Sequence, residues 1–319
     1  ATDEGRLRLS ATNLELGITC WIGAKIEQEG STTVPARTFT DLVGTLPPSQ
    51  VSMDLNVRTQ TMDVRCGTSN TDLKCIDSQE FPPMPTLDMD EGIEIDANEL
   101  REMIRQVVFA ASTDEARPIL TGVLMTVEDD TITFAAADGF RLSVRTAKLS
   151  SPIDRNLQAV IPARSLSELA RISTDGSKTI TMLLPPQSGR VIFRTQNTEL
   201  VSQLIEGTFP DYAQIIPKGH DTRTVLSTDA FLKACKQAEI FAREGSLIAQ
   251  ISITPGGDLK PGTVEISGQS EETGSNQTVV DASIDGPPIL IAFNVRYLRE
   301  VLDVINTPNV ALETTTGTS

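Results

Sequence analysis

Few side chains in this sequence could carry out acid–base or nucleophilic chemistry. The 319 residues include one histidine, His220, so a catalytic triad or a histidine acid–base pair has little to be built from. The sequence has no GxxxxGK[ST] loop, no GxGxxG turn after a strand and no HExxH motif. Its many carboxylates fall mostly in turns such as 128–130 and 271–272, where solvation is the simpler explanation. The sequence therefore predicts a protein that is not an enzyme.

The cysteines do not suggest a disulfide framework or a metal site. Their positions are Cys20, Cys66, Cys75 and Cys235, without the spacing of a zinc finger or a disulfide-rich domain. Cys66 and Cys75 flank a predicted turn and are expected to lie near each other. Reduced thiols in a cytosolic protein are favoured over a bridge. We therefore expect no cofactor and no metal, and a cytoplasmic location.

The basic residues are outnumbered but recur at similar places. The net charge of −16, taken alone, argues against a nucleic-acid-binding protein. However, each predicted helix carries basic residues on the face opposite its apolar stripe, and a mild, repeated basic lining would attract a phosphate backbone without distinguishing bases. The alternative is an ordinary solvated helix face, because acidic residues lie beside the basic ones. The predicted DNA-facing residues are Arg37, Arg101, Arg105, Arg117, Arg164, Arg171, Lys233, Lys236, Arg296 and Arg299.

The helices that position these residues belong to a unit that occurs three times. A short apolar strand, a break and an amphipathic helix appear in TVPARTFTDLVGTLP from Thr33, AVIPARSLSELARI from Ala159 and LIAFNVRYLREVLDVI from Leu290. In addition, LKCIDSQEFPPMP from Leu73 parallels LVSQLIEGTFPDYAQIIP from Leu200. The copies are displaced by about 130 residues, which is the upper end of a typical domain.

The repeat predicts three tandem α+β domains, each a sheet with helices on one face. The predicted ranges are 1–88, which lacks the N-terminal part of the unit, 89–218, and 219–319, which lacks the C-terminal strands. The linkers are predicted in the segments FPPMPTLDMDEG and IIPKGHDT.

Local patterns add detail to the second and third domains. Apolar residues at i, i+3 and i+4 predict a helix over 97–111, and Glu128–Asp130 predicts a hairpin turn. Asp96 and Thr228 are both predicted helix N-caps.

Four long segments resemble one known family. REMIRQVVFAASTDEARPILTGVL, AAADGFRLSVRTA, ELVSQLIEGTFPDY and IAFNVRYL resemble the beta subunit of bacterial DNA polymerase III, the sliding clamp, and the resemblance follows the whole chain in order. It implies that this chain is incomplete at both ends. It also implies a head-to-tail homodimer whose six domains form a ring, with helices lining the hole and sheets outside. Such a ring encircles duplex DNA without sequence preference and acts as a non-catalytic processivity factor.

The resemblance also implies the partners and the sites that bind them. The partners are duplex DNA, the DNA polymerase III alpha subunit, the clamp loader, other proteins with a clamp-binding motif, and a second copy of the chain. A hydrophobic peptide pocket near the junction of domains two and three would be formed by Arg117, Leu120, Gly139, Phe140, Arg141, Leu142, Pro210, Ile215, Asn294, Tyr297 and Ser319. The implied dimer interface contains Thr71, Leu73, Ile240 and Phe241.

Two other classes of protein compete with the clamp. One is a three-repeat structural or adhesion protein without a DNA role, which the repeated basic helix faces disfavour. The other is an enzyme of unknown type, which the single histidine and the missing ligand clusters disfavour.

Overall fold

The fold is mixed helix and sheet. A computed structural model describes residues 1–84, 92–174, 176–243, 246–257 and 260–315. The α-helices within them are α1 (Ala36–Thr45), α2 (Ala97–Val107), α3 (Ala163–Ile172), α4 (Thr228–Ala242) and α5 (Val295–Leu302). None of these helices has the length and apolar character needed to cross a membrane.

Twenty strands lie in the same described residues. They are β1 (Thr2–Asp3), β2 (Arg6–Thr12), β3 (Leu16–Gly23), β4 (Val51–Asn56), β5 (Thr61–Cys66), β6 (Ser69–Lys74), β7 (Ile93–Asp96), β8 (Gly122–Glu128), β9 (Thr131–Ala137), β10 (Leu142–Lys148), β11 (Leu157–Pro162), β12 (Thr179–Leu183), β13 (Arg190–Arg194), β14 (Thr198–Gln203), β15 (Thr222–Ser227), β16 (Ile248–Thr254), β17 (Gly262–Ser270), β18 (Gly274–Asp285), β19 (Ile289–Asn294) and β20 (Asn309–Thr314). Short 3-10 helices occur at Ser78–Glu80, Val108–Ala110, Pro118–Thr121 and Tyr212–Gln214.

The chain divides into two compact units. The first contains residues 1–101, 125–132 and 147–206, and the second contains residues 102–124, 133–146 and 207–319. The boundary passes through α2 and through β8, β9 and β10. Because these units cut across the sequence repeat, the domain ranges 1–88, 89–218 and 219–319 remain predictions.

The first unit contains a sheet built from two distant parts of the sequence. Its strand order is β1-β2-β3-β14-β13-β12-β7. Strands β3 and β14 are antiparallel, with Thr198 opposite Cys20 and Ser202 opposite Leu16. A separate sheet of order β4-β5-β6 packs its buried Met62, Val64 and Leu73 against apolar residues of α1 such as Phe39 and Leu42. A further sheet of four strands, which does not belong to the first unit alone, has the order β10-β9-β8-β11.

The second unit contains the six-stranded sheet β19-β16-β17-β18-β15-β20, against which α4 packs. Phe231, Cys235 and Ala238 on α4 are buried, as are Val264 and Ile266 on β17. The helix lies so close to the sheet that a Cβ atom on Gly268 of β17 would be 2.2 Å from the carbonyl oxygen of Ala238. A glycine is therefore needed where the sheet meets the backbone of α4.

Several local predictions are confirmed. Helices α1, α3 and α5 occur in the three repeated strand–helix segments, α2 begins at the predicted residue 97, and Asp129, with φ of 51°, forms the turn between β8 and β9. The Asp96 carboxylate caps α2, because its Oδ1 accepts hydrogen bonds from the backbone N–H groups of Asn98 and Glu99, both at 2.9 Å. The α-helix is shorter than the predicted 97–111, since it ends at Val107 and tightens into a 3-10 turn.

The prediction that Thr228 is an N-cap is wrong by one residue. Ser227 has the extended backbone of a cap, and its hydroxyl accepts from the N–H of Ala230 at 3.4 Å. Thr228 is already helical, and its hydroxyl donates to the carbonyl of Thr307 at 2.8 Å. The Thr228 hydroxyl therefore bonds the chain at 307 rather than capping α4.

The expectation that Cys66 and Cys75 lie near each other is also wrong. Cys66 pairs with Ser69 beside the β5–β6 turn, whereas the N–H of Cys75 donates to Gln60 at the far end of the hairpin. All four cysteines are free thiols. Most of the first predicted linker, residues 85–91, lies outside the described residues.

Candidate functional site

Basic side chains on the solvent-exposed helix faces, opposite the apolar stripes, form ion pairs with acidic residues of the same helix. The pairs are Arg37–Asp41 at 4.0 Å, Arg171–Glu168 at 2.7 Å, Lys233–Asp229 at 2.7 Å and Arg296–Glu300 at 2.8 Å. The basic member of each pair is well exposed, and exposed pairs of this kind contribute only about 0–1 kcal/mol. An incoming phosphate can therefore displace the carboxylate from Arg37, Arg171 and Lys233 at little cost, whereas Glu300 is only 17% exposed and also pairs with Arg141.

Arg164 differs from these residues. It is exposed in the first turn of α3, and it has no ion-pair partner in the part of the chain that the structure describes. The Arg164 guanidinium can therefore bind an anion without first breaking an ion pair with a carboxylate.

Three members of the predicted DNA-facing set are used within the protein instead. Arg101 donates to the carbonyl of Ser173 at 3.1 Å and Arg105 to the carbonyl of Val304 at 3.1 Å. Arg299 forms ion pairs with Glu239 at 2.7 Å and Asp303 at 3.0 Å. The polar face of a helix can contact a neighbouring element of the protein instead of facing solvent, and these three arginines do so. We therefore remove Arg101, Arg105 and Arg299 from the DNA-facing set. Lys236 stays in it, although Asp303 lies 2.8 Å away.

The segments ARPIL and DGFRL of the predicted pocket come together in the second unit. Gly139 has φ of 96°, and a Cβ atom there would lie 3.1 Å from Nη1 of Arg117. Arg117 is itself oriented by Asp114, which accepts from its Nε at 3.0 Å. The positive φ favours glycine at this position, and a Cβ atom there would also require the Arg117 guanidinium to shift slightly.

Not all of the predicted pocket residues are accessible. Leu120 is 9% exposed and belongs to the core, so the prediction that it lines the pocket is not supported. Phe140 and Ile215, by contrast, are 80% and 67% exposed and are accessible to a partner. Leu142 is half-buried, and Pro210 is exposed. Ser319 lies outside the described residues.

Arg141 occupies the centre of this region. Its guanidinium lies 4.5 Å from the ring centroid of Tyr297 and 5.3 Å from that of Phe109. It also forms ion pairs with Asp138 and Glu300. Sequence reasoning did not assign a role to Phe109 or Glu300, although the spacing of Arg296 and Glu300, four residues apart on a helix, was a signal for an ion pair.

The FNVRY segment is oriented by its own helix cap. Oδ1 of Asn294 accepts from the N–H of Arg296 at 3.1 Å, which fixes the start of α5 and so the position of Tyr297. Asn294 thus orients Tyr297 by capping α5, in addition to the peptide contact predicted for it.

Two cavities lie away from these residues. One of about 530 Å³ is lined by residues 92–94 and 150–155. The other, of about 450 Å³, lies between α2, β10 and the turn after α5, and includes Gln106, Ser143 and Asn306. Neither of these two cavities contains a residue of the predicted peptide pocket.

The predicted dimer residues differ in accessibility. Leu73 is 5% exposed and faces the core of its small sheet, and Thr71 lies on the same side because side chains alternate along a strand. The side chain of Leu73 therefore cannot form an interface. However, β6 is an edge strand, and the backbone N–H and C=O groups on its open side could pair with another strand. On α4, Ile240 is exposed and Phe241 is half-buried.

We expect the stabilising contribution of Glu300 to disappear in acid. Burial alone would raise the pKa of Glu300, but hydrogen bonds and charges from Arg296 and Arg141 outweigh it and hold the pKa below the ordinary 4.5. Since the unfolded chain takes up the proton first, the stabilisation is complete above pH 4.5 and is lost as the pH falls through the lower folded pKa. The free energy of unfolding of the wild type and of Glu300→Gln should therefore converge as the pH falls from about 4.5 through the lower folded pKa of Glu300. A difference that does not change with pH would contradict this assignment.

Comparison with known proteins agrees with the repeated α+β architecture. Family profiles described as the DNA polymerase III beta subunit N-terminal, central and C-terminal domains match residues 1–85, 94–211 and 213–319. The beta sliding clamp of Bacillus subtilis (strain 168) is 34% identical over 282 residues, which cover 88% of this chain and 72% of the relative. That of Synechococcus elongatus is 31% identical, covering 100% of this chain and 84% of the relative.

Solved structures give the same result. The crystal structure of the DNA polymerase sliding clamp from Bacillus subtilis superimposes with a TM-score of 0.88 and 30% identity, over 99% of this chain and 83% of that one. The fold is thus that of a clamp protein with three tandem domains of one kind. The chain belongs to the DNA polymerase III beta subunit family, the bacterial beta sliding clamps.

Proposed function

We propose that this chain is a processivity factor that encircles duplex DNA as a homodimeric ring and tethers a DNA polymerase to it. The observation that supports this best is the set of exposed basic residues on the solvent-exposed faces of α1, α3, α4 and α5, opposite their apolar stripes, in a chain of net charge −16. An acidic protein with local basic surfaces attracts DNA to those surfaces and repels it elsewhere.

A closed ring does not need tight contacts with DNA. Its attachment is topological, and weak contacts with phosphates, independent of base sequence, allow it to slide. Exposed arginines and lysines with easily displaced carboxylate partners suit this requirement. The protein itself catalyses no reaction in this role and acts in the cytoplasm.

The partners follow from the same role. A second copy of the chain closes the ring, a clamp loader opens it, and the DNA polymerase III alpha subunit and other clamp-binding proteins dock by short peptides. The docking surface contains Phe140, Leu142 and Ile215, with Tyr297 at its edge. Ile240 and Phe241 contribute to the dimer interface, and the three domains extend over about 1–88, 89–218 and 219–319.

Loading onto circular DNA tests the proposed function. The protein is loaded onto nicked circular DNA with a clamp loader, separated from free protein, and then treated with a restriction enzyme that linearises the DNA. A ring slides off the ends, so the DNA-bound fraction falls after cleavage. Retention on linear DNA would indicate ordinary binding and would overturn the proposal.

Neutralising the acidic partner of a DNA-facing arginine should strengthen DNA binding. In Glu168→Gln the Arg171 guanidinium loses its carboxylate, so we expect the Kd for duplex DNA to fall about threefold at low salt, because one more cation meets the phosphates. The control is Glu271→Gln, which makes the same charge change in the β17–β18 turn. Fluorescence anisotropy at several salt concentrations measures both. Equal effects of the two variants would show that only net charge matters.

A further inference from the structure

The Arg141 guanidinium is held on every side by the protein. Phe109 lies against one side and Tyr297 against another, at 5.3 and 4.5 Å from the ring centroids. Its Nε donates to Asp138 at 3.0 Å, its Nη2 to the carbonyl of Phe109 at 2.5 Å, and its Nη1 to Glu300. The side chain is 18% exposed, so little of it can meet a partner.

The groups around Arg141 come from two different repeats. Phe109, Asp138 and Arg141 lie in the residues matched by the central-domain profile, and Tyr297 and Glu300 lie in α5 of the C-terminal one. The contact therefore joins the DGFRL turn to α5 within the second unit. Arg141 holds α5 at two points one turn apart, the Tyr297 ring and the Glu300 carboxylate.

Asp138 connects this contact to the turn that carries Phe140. Its Oδ1 accepts from the backbone N–H groups of Phe140 and Arg141 at 2.8 and 3.0 Å, while its Oδ2 accepts from the Arg141 guanidinium. A single carboxylate thus sets both the turn and the direction of the arginine. The backbone of Phe140 and the Tyr297 ring are thus connected through Asp138 and Arg141.

We propose that Arg141 is a positioning residue for the peptide site, which places the Tyr297 ring for the incoming peptide rather than binding the peptide itself. This inference rests on the proposed function of that site. The planar guanidinium is essential, because it can lie on aromatic rings and bond Asp138 and Glu300 at once, whereas a lysine ammonium is a point charge that cannot do both. Replacement by lysine keeps the charge and removes the ordered stack.

A double-mutant cycle tests whether Arg141 acts through Tyr297. The full-length protein and the variants Arg141→Lys, Tyr297→Leu and the double variant are titrated into a fluorescein-labelled synthetic peptide with the clamp-binding segment of a DNA polymerase III alpha subunit. We expect Arg141→Lys to raise the Kd about tenfold in the wild-type background and less than twofold in Tyr297→Leu, because the ring it positions is then absent. Thermal melting of each variant reports the fold separately.

The controls separate the possible failures. Arg194→Lys makes the same substitution at another partly buried arginine, paired with Glu199, and should leave the Kd unchanged. Equal effects of Arg141→Lys in both backgrounds would mean that Arg141 binds the peptide directly and would overturn the inference. If the wild type does not bind the peptide, the proposed function of the site fails instead. If Arg141→Lys does not fold, Glu300→Gln replaces it in the cycle, because it keeps Arg141 but removes one of its carboxylate partners. Its effect on the Kd is again compared between the wild-type and Tyr297→Leu backgrounds.

Discussion

Replacing Gly268 with valine is expected to destabilise the second unit by about 3 kcal/mol, the upper part of the range for overpacked sites. A Cβ atom at 268 would lie 2.2 Å from the carbonyl oxygen of Ala238 and 2.9 Å from its carbonyl carbon. Both are backbone atoms of α4, so no side-chain rotation can relieve the contact. The helix must move off β17, and the packing of Phe231 and Cys235 moves with it.

The control is the same substitution at a strand glycine in open space. Gly23, at the end of β3, has no heavy atom within 4 Å of the position that its Cβ would take. Gly23→Val should therefore leave stability nearly unchanged, since valine suits a strand. Chemical denaturation followed by circular dichroism gives both values. If the two variants lose the same stability, the cause is strand flexibility and not the approach of α4 to the sheet.

Replacing Leu142 with aspartate is expected to raise the Kd for the polymerase peptide about thirtyfold, which corresponds to about 2 kcal/mol. Leu142 follows Arg141 at the start of β10 and is half-buried. A peptide that covers it would bury the remaining apolar surface, whereas a carboxylate there would be desolvated without a partner. The fold should persist, because the side chain is already partly in solvent.

Val279→Asp is the matched control for this experiment. Val279 is an exposed apolar residue of β18, and aspartate there makes the same chemical change away from the proposed site. Peptide titrations with both folded variants then give a direct comparison. An unchanged affinity in Leu142→Asp, or an equal loss in both variants, would contradict the assignment of Leu142 to the peptide surface.

Local structure followed from the sequence more completely than the arrangement of the sheets. The i, i+3, i+4 spacing of apolar residues identified α2, the repeated strand–helix segments located α1, α3 and α5, and the Glu128–Asp130 turn was evident from its residue types. The pairing of β3 with β14 was not predicted, because strand partners far apart in sequence are chosen by edge and face compatibility in the folded protein. Periodicity carries no information about that choice.

The same distinction applies to the site residues. The apolar stripe of a helix shows which face is buried, but it does not show what lies across the polar face. Arg105 and Arg299 were therefore assigned to DNA, whereas the structure uses them for Val304 and Glu239. Leu120 was assigned to the pocket by motif, although its side chain lies in the core. The exposure of Phe140 and the contact between Arg141 and Tyr297 depend on the folded arrangement, because residues 141 and 297 are far apart in the sequence.

The pairing of β3 with β14 has a mechanical consequence. The residues at 16–20 and 198–202 are joined by a row of backbone hydrogen bonds, and the side-chain amide of Gln203 adds a bond to the carbonyl of Leu14 at 2.9 Å. A pull along these strands loads all of the bonds together in shear, instead of stretching a single flexible connection. Shear of several parallel bonds resists force far better than sequential opening. This joint is therefore expected to stay closed when a moving polymerase drags the protein along DNA.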